Sequence, residues 1–217
     1  MTIELYLFPP SPRAFKAMVV ANHLGLNWTM HIVDPRRGDM QQPAYVLLNP
    51  NMRMPTLKDG DYVLWEANAI CQYLASLRPA SGLLPADERG RLDVTRWQFW
   101  DLAHWEQGCV PFMLENVVKP RFLGIATRDE ASLAKGTEIF HRSAKVLNDQ
   151  LARHRYVTGD HPTVADFALG ASLIYEDEAR FPLEAYGEIR RWYADLATLP
   201  AWQKTLAATM APAAAAA

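Results

Sequence analysis

Cysteine is nearly missing from this chain of 217 residues, which has only Cys71 and Cys109. Two thiols cannot build the framework of a small disulfide-stapled protein or a four-cysteine zinc shell. Both stand in apolar, helix-like runs, which predicts buried free thiols of a reducing compartment, the cytoplasm. Charge of either sign is scarcely in excess: 22 Lys and Arg against 24 Asp and Glu leave −2. Such a balance offers no field to gather nucleic acid or an anionic membrane surface. No apolar run approaches roughly 18 residues, so no membrane span is expected. The opening "MTIELYLFPP" lacks the basic flank and cleavage site of an export signal. No internal repeat stands out. What is present is ordinary for a soluble globular protein, with half the residues hydrophobic. The length suffices for one large domain or two small ones with cores of their own.

The first 78 residues alternate between strand and helix patterns. "IELYLF" reads as a strand, followed by Ser11-Pro12 and an amphipathic run to Leu24. "WTMHIV" alternates as a second strand, the charged loop "DPRRGDMQQP" follows, and "AYVLLN" is a short helical piece. Asp59-Gly60 between Thr56–Lys58 and Tyr62–Trp65 is a hairpin signal. In "LWEANAICQYL", Ala67, Ile70, Cys71 and Leu74 recur three and four apart, which predicts one buried helix face. "RPASGLLPAD" carries two prolines and a glycine and reads as a linker. Everything beyond it is helical in pattern. The run "ERGRLDVTRWQFWDLAHWEQ" carries three tryptophans, and its bending turns on Gly108 and Pro111. Thr127 with Glu130 has the spacing of a capping box that would open the next helix. Thr163 with Asp166 is an acidic variant opening "TVADFALGASLIYEDEARF". "LEAYGEIRRWYADLA" and "PAWQKTLAATM" follow, and the tail "APAAAAA" is low in complexity and expected to fray. A βαβ unit, a hairpin and helix, then an all-helical half make two domains.

Three short motifs admit both a structural and a functional reading. Ser11 before Pro12 fits a helix N-cap followed by the first helical residue. The same geometry puts a hydroxyl in the positive potential of a helix N-terminus, where a thiolate is favoured over a thiol. Pro55 in "NMRMPTL" stands at the first position of a strand. On position alone a plain edge proline is favoured, since roughly 5% of X–Pro bonds are cis. A cis bond would instead turn the backbone of Met54 outward, free to pair with an extended peptide-like ligand. Glu66 ahead of its helix can compensate the helix dipole or receive a cationic ligand group.

Taken together and in this order, these motifs resemble the glutathione transferase family. "NPNMRMPTL" is similar to the family's Asn-Pro-x-x-(Lys/Arg)-x-Pro-x-Leu segment. "LWEANAICQYL" resembles its Glu-Ser-x-Ala-Ile-x-x-Tyr-Leu segment, and "YVTGDHPTVADFAL" its Gly-Asp-x-x-Thr-x-Ala-Asp helix start. The resemblance spans essentially the whole chain. It implies an α/β thioredoxin-like domain over residues 1–78, a linker at 79–87 and an all-α domain over 88–217. It also implies glutathione as co-substrate with no metal, a small electrophile as second substrate, and a homodimer. In such a serine-type, bacterial-style enzyme Ser11 stabilises the glutathione thiolate. Met54, ahead of Pro55, pairs its backbone with the cysteinyl part, and Arg53 approaches the glycyl carboxylate. Glu66 accepts from the γ-glutamyl ammonium, and Ala67 presents its N–H to the γ-glutamyl carboxylate. The electrophile pocket is expected between the Ser11 loop and the tryptophan-rich helix, with Phe8, Trp105, Phe112, Met113 and Tyr175 as candidate lining. His104 reads as a packing or surface residue. Arg121 and Arg180 are alternative arginines that would approach the sulfur.

Two departures from the family pattern stand out. Ala67 replaces the usual serine or threonine, losing one hydrogen bond to the carboxylate, which Asn68 would replace in part. Met40 stands where several classes carry histidine or lysine, leaving Arg36 and Arg37 as substitutes or as solvated surface. The implied activity is conjugation of glutathione to small electrophiles, with weak hydroperoxide reduction. The rivals are a glutathione-dependent isomerase or dehalogenase of the same fold, and a non-catalytic binding module. "PPSPRA" lacks the Ser-Ser-Cys pattern of the maleylacetoacetate isomerases.

Overall fold

Strand β1 (Ile3–Leu7) has the alternation of a half-covered strand: Ile3, Leu5 and Leu7 are buried, while Glu4 and Tyr6 are less so. The structure, a computed structural model, describes residues 3–211. Met1, Thr2 and the alanine-rich tail from residue 212 on lie outside the described residues. Strands β2 (Trp28–Ile32), β3 (Thr56–Asp59) and β4 (Tyr62–Trp65) complete a mixed sheet in the order β2-β1-β3-β4. β1 pairs with β2 in parallel and with β3 antiparallel, and β3 turns into β4 through Gly60 at φ +60°. Helix α1 (Pro12–His23) connects the parallel pair, α2 (Pro43–Leu48) precedes β3, and α3 (Ala67–Ser76) follows β4. α1 packs against α3, and every residue from Ala14 to Ala21 is buried, Lys16 included.

Two compact units divide the described chain, with the boundary between Arg78 and Pro79. The expected all-helical domain reached to the C-terminus, but packing assigns the last helix, α10 (Pro200–Met210), to the first unit. The reason is a specific seam on α1. Trp202 is wholly buried and sets its ring 4.7 Å from Phe15, and the Asn22 amide donates to Thr205 Oγ1 at 2.8 Å. Sequence periodicity reveals that α10 has a buried face but not which neighbour buries it.

The second unit is helical. α4 (Glu88–Trp100) and α5 (Glu106–Met113) belong to one continuous helical rod interrupted by widened, π-type turns at Asp101–Trp105 and Leu114–Leu123. Pro111 and Pro120 sit inside this rod, each unable to donate a helical N–H. A Cβ on Gly136 would meet the Pro111 ring at 2.7 Å, so glycine there lets α6 (Glu130–Leu151) approach closely. The N-cap of α6 is Asp129, whose carboxylate accepts from Ser132 N–H at 3.0 Å. This corrects the capping box expected at Thr127 and Glu130: the helix starts two residues later than that box requires. The Thr163–Asp166 box is present ahead of α7 (Val164–Ala171). Asp166 is fully buried, accepting from Thr163 and Val157 N–H and from the Trp192 indole. The helical run expected over "TVADFALGASLIYEDEARF" instead tightens into three-residue turns after Ala171, then resumes as α8 (Glu176–Ala179). α9 (Gly187–Ala197) follows. The expected linker is partly structured, since Leu83 is buried and its carbonyl accepts from Val164 N–H at 3.0 Å. Cys71 and Cys109 are buried free thiols. Among the described residues no helix is long and apolar enough to cross a membrane.

Candidate functional site

The loops at the carboxyl ends of β1 and β2 lie side by side, because Val33 N–H donates to Leu7 C=O at 3.0 Å. In open α/β sheets this edge is where ligands bind. The chain leaves β1 through Phe8 and turns at Ser11, whose N–H donates to Phe8 C=O at 2.9 Å. Ser11 has the extended backbone of an N-cap and its carbonyl accepts from Phe15 N–H, with Pro12 in the first turn. Its hydroxyl makes no capping bond and has no partner among the described residues. The common capping role is therefore unfilled, and a half-buried hydroxyl at a helix N-terminus is left able to donate.

A second loop runs from Asn49 to Pro55. The Met54–Pro55 peptide is cis, against the expectation from position alone. Neither the N–H nor the C=O of Met54 is paired among the described residues. What holds this segment is a buried polar cluster that periodicity did not expose. Tyr45 Oη donates to Arg53 C=O at 2.6 Å and shares a hydrogen bond with Thr56 Oγ1 at 3.0 Å. Asn49 Nδ2 reaches the same two acceptors at 2.9 and 3.1 Å, while its Oδ1 accepts from Asn51. Burial pushes the Tyr45 phenol up, so it stays neutral and able to donate. The one local signal was Asn49 before Pro50, a turn-forming pair. The Arg53 side chain is exposed and unpaired among the described residues.

Glu66 enters α3 with φ +74°, a conformation costly for a residue with a Cβ. Its carboxylate is exposed and makes no capping bond, so the dipole-compensating role expected of a bland glutamate is not carried by a direct contact. Ala67 follows as the first helical residue, buried, with its N–H unpartnered among the described residues. Asn68, next in line, is buried. The first unit thus holds one free hydroxyl, one free peptide edge, a cation, a carboxylate and a helix N-terminus, a donor and acceptor set suited to a short zwitterionic peptide.

The remaining candidates fall as follows. Phe8 is buried beside Ser11 in the first unit. Trp105 is wholly buried in the second, its indole donating to Leu169 C=O at 3.0 Å. Trp105 and Phe112 both pack around Phe140, tilted and edge-on, with ring centroids 5.2 and 5.7 Å away. Met113 and Tyr175 are buried in the same unit. Burial drives the Tyr175 phenol up to about 12. Arg121 pairs with Glu178 at 3.4 Å and lies over the Tyr175 ring, whereas Arg180, at φ +59°, has no ion pair among the described residues. His104 is exposed. Among the described residues no group of three or more His, Cys, Asp or Glu could hold a metal ion.

Residues 1–76 match the family "Glutathione S-transferase, N-terminal domain", and residues 130–195 match "Glutathione S-transferase, C-terminal domain". Glutathione S-transferase 3 of Zea mays is 35% identical, across 97% of this chain and 96% of its own length. The solved structure of glutathione S-transferase III in apo form is 32% identical, covering 98% of this chain and 99% of its own, with a TM-score of 0.86. The theta class glutathione S-transferase from the citrus canker pathogen Xanthomonas axonopodis pv. citri was solved with glutathione bound. It is 30% identical over 94% of this chain and 96% of its own, with a TM-score of 0.83.

Proposed function

The chain belongs to the glutathione S-transferase family, and on that premise we propose that it conjugates glutathione to small electrophiles with Ser11 stabilising the thiolate. The observation that carries this reading is the uncommitted Ser11 hydroxyl at the start of α1. The sulfur gives its proton to solvent and remains anionic because the hydroxyl donates to it in the positive field of the helix N-terminus. The thiolate then attacks an electrophilic carbon. A C–S bond forms, and in a substitution the leaving group departs with its electron pair. Ser11 donates a hydrogen bond throughout and is never itself the nucleophile.

The tripeptide is bound along the first unit. The unpaired Met54 N–H and C=O take the cysteinyl backbone, next to Pro55. Arg53 meets the glycyl carboxylate, Glu66 the γ-glutamyl ammonium, and the Ala67 N–H the γ-glutamyl carboxylate. Weak hydroperoxide reduction follows from the same thiolate. Sulfur takes one oxygen and releases the alcohol, and a second glutathione returns the disulfide and water. A cytoplasmic homodimer belongs to the same reading and rests on family membership alone.

The test is Ser11→Ala. One hydrogen bond to an anion is worth about 1.5–3 kcal/mol. Conjugation of a chloronitroaromatic should fall at least about tenfold, and the thiol pKa of bound glutathione should rise by about 1–2. Wild-type values for both would remove Ser11 from the mechanism.

A further inference from the structure

Arg36, on the loop after β2, is fixed in a way that exposed arginines seldom are. Its Nε donates to both carboxylate oxygens of Asp34, at 2.9 and 3.1 Å, and Nη2 donates to Oδ2. Asp34 is in turn anchored, accepting from Arg36 N–H at 2.9 Å while its own N–H donates to the Asp39 carboxylate at 2.9 Å. The side chain of Asp34 is only 8% exposed against 42% for Arg36, so the clamp is buried and the guanidinium is not. On one flat side the guanidinium lies over the Phe8 ring, with Cζ 5.2 Å from its centroid. Phe8 is the residue whose carbonyl holds Ser11 N–H. The cation therefore stands beside the catalytic turn, at the carboxyl edge of the parallel pair β1 and β2.

The clamp decides what such a cation can do. Arg36 holds the Asp34 carboxyl below the usual range, so Asp34 is ionised and cancels much of the arginine's field at a distance. Long-range support for the glutathione thiolate is correspondingly small. Short-range recognition is untouched, because a guanidinium has donors on two edges and Asp34 occupies only the Nε–Nη2 edge. Nη1 makes no hydrogen bond among the described residues. Its N–H groups, with the outer one on Nη2, form a fork matched to a carboxylate or sulfonate and already held in place. Pre-ordering lowers the entropy lost on binding.

We propose that Arg36 is a specificity-determining residue that favours electrophiles carrying an organic anion, a carboxylate or sulfonate, near the reacting carbon. The inference rests on the conjugating activity proposed above. In the test reaction the thiolate displaces chloride from a nitro-activated ring. The C–S bond forms, the C–Cl bond breaks, chloride leaves with the electron pair, and the ring carboxylate is unchanged.

The experiment compares the full chain acting on a chlorodinitrobenzene and on its ring-carboxylate analogue. The quantity read is the ratio of kcat/KM for the anionic to the neutral substrate, which cancels any effect common to both. Arg36→Gln should lower that ratio by about tenfold or more, with Arg36→Lys in between. If Arg36→Gln does not fold, Arg36→Lys decides the matter, because it keeps a cation beside Asp34 and loses the fork. An unmoved ratio, or a wild type that refuses the anionic substrate, overturns the inference. A loss shared by both substrates and carried by the KM for glutathione would put Arg36 on the tripeptide and overturn it equally. These failures leave the conjugating activity standing, whereas a wild type that conjugates neither substrate overturns both readings.

Discussion

Deleting one oxygen, by Tyr45→Phe, should loosen the loop that presents Met54 without emptying the core beneath it. The phenol is buried, donating to Arg53 C=O at 2.6 Å and meeting Thr56 Oγ1 at 3.0 Å. Its removal leaves Arg53 C=O served by Asn49 Nδ2 at 2.9 Å. With the single phenol proton on Arg53 C=O, however, the phenol oxygen accepts from Thr56 Oγ1–H, and that buried hydroxyl loses its acceptor. The loss is then the net worth of one strong and one moderate hydrogen bond plus the cost of a buried hydroxyl left without that acceptor, about 2–3 kcal/mol. Urea unfolding measures this as a fall in midpoint at constant slope. Met54 directly follows Arg53, so in the binding mode proposed above a freer Arg53 carbonyl weakens the peptide edge that takes glutathione. That contact is the same in ground and transition states. The KM for glutathione should rise about three- to tenfold while kcat stays within about twofold. The companion variant Asn49→Ala removes the second donor. With both gone, Arg53 C=O loses both of its side-chain donors, so the double variant should be worse than the sum of the singles by about 1–2 kcal/mol. Strict additivity, or lost stability with an unchanged KM, would refute the idea that this cluster holds the loop for binding.

Ala67→Ser adds a donor where the first N–H of α3 is unpartnered, and titration should find glutathione bound about five- to thirtyfold tighter, a gain of about 1–2 kcal/mol. No tightening would mean that the γ-glutamyl carboxylate does not sit at this helix start. For Tyr175, the folded phenol titrates near 12 and the unfolded one near 10. Between those values the unfolded chain holds fewer protons, so stability falls as pH rises through that window. Relative to Tyr175→Phe, the wild type should lose about 2 kcal/mol there, and parallel alkaline unfolding curves would refute the assignment.

Sequence legibility followed the range of the interactions. The Asp59-Gly60 hairpin, the α3 face of Ile70, Cys71 and Leu74, and the Thr163–Asp166 box each depend on neighbours a few residues away, and pattern reading found all three. The Thr127–Glu130 box failed although its spacing is correct, because Asp129 competes for the same role and its carboxylate does the capping. The positions of Ser11 and Glu66 were legible, but not that Ser11 forgoes its cap or that Glu66 adopts positive φ. Tyr45 was hidden for a different reason. Its partners at Arg53 and Thr56 belong to a loop and a strand that meet it only after the sheet forms, and a tyrosine in an apolar stretch looks like core. Arg36 read as one of two interchangeable loop cations until its clamp on Asp34 distinguished it from Arg37, which stands 4.0 Å from Asp39 and is 62% exposed.

The seam between α1 and α10 also bears on the order in which the protein can be finished during synthesis. Phe15 and Asn22 leave the ribosome well before Trp202 and Thr205, which complete their surroundings. Translation builds a chain from its N-terminus, and domains generally fold as units as they emerge. Here the thioredoxin-like half must wait with one side of α1 uncovered while the whole helical unit is made. The helical unit, whose residues are contiguous in the chain, can close first. A fragment ending at Arg78 is therefore an unfinished core and not a portable module.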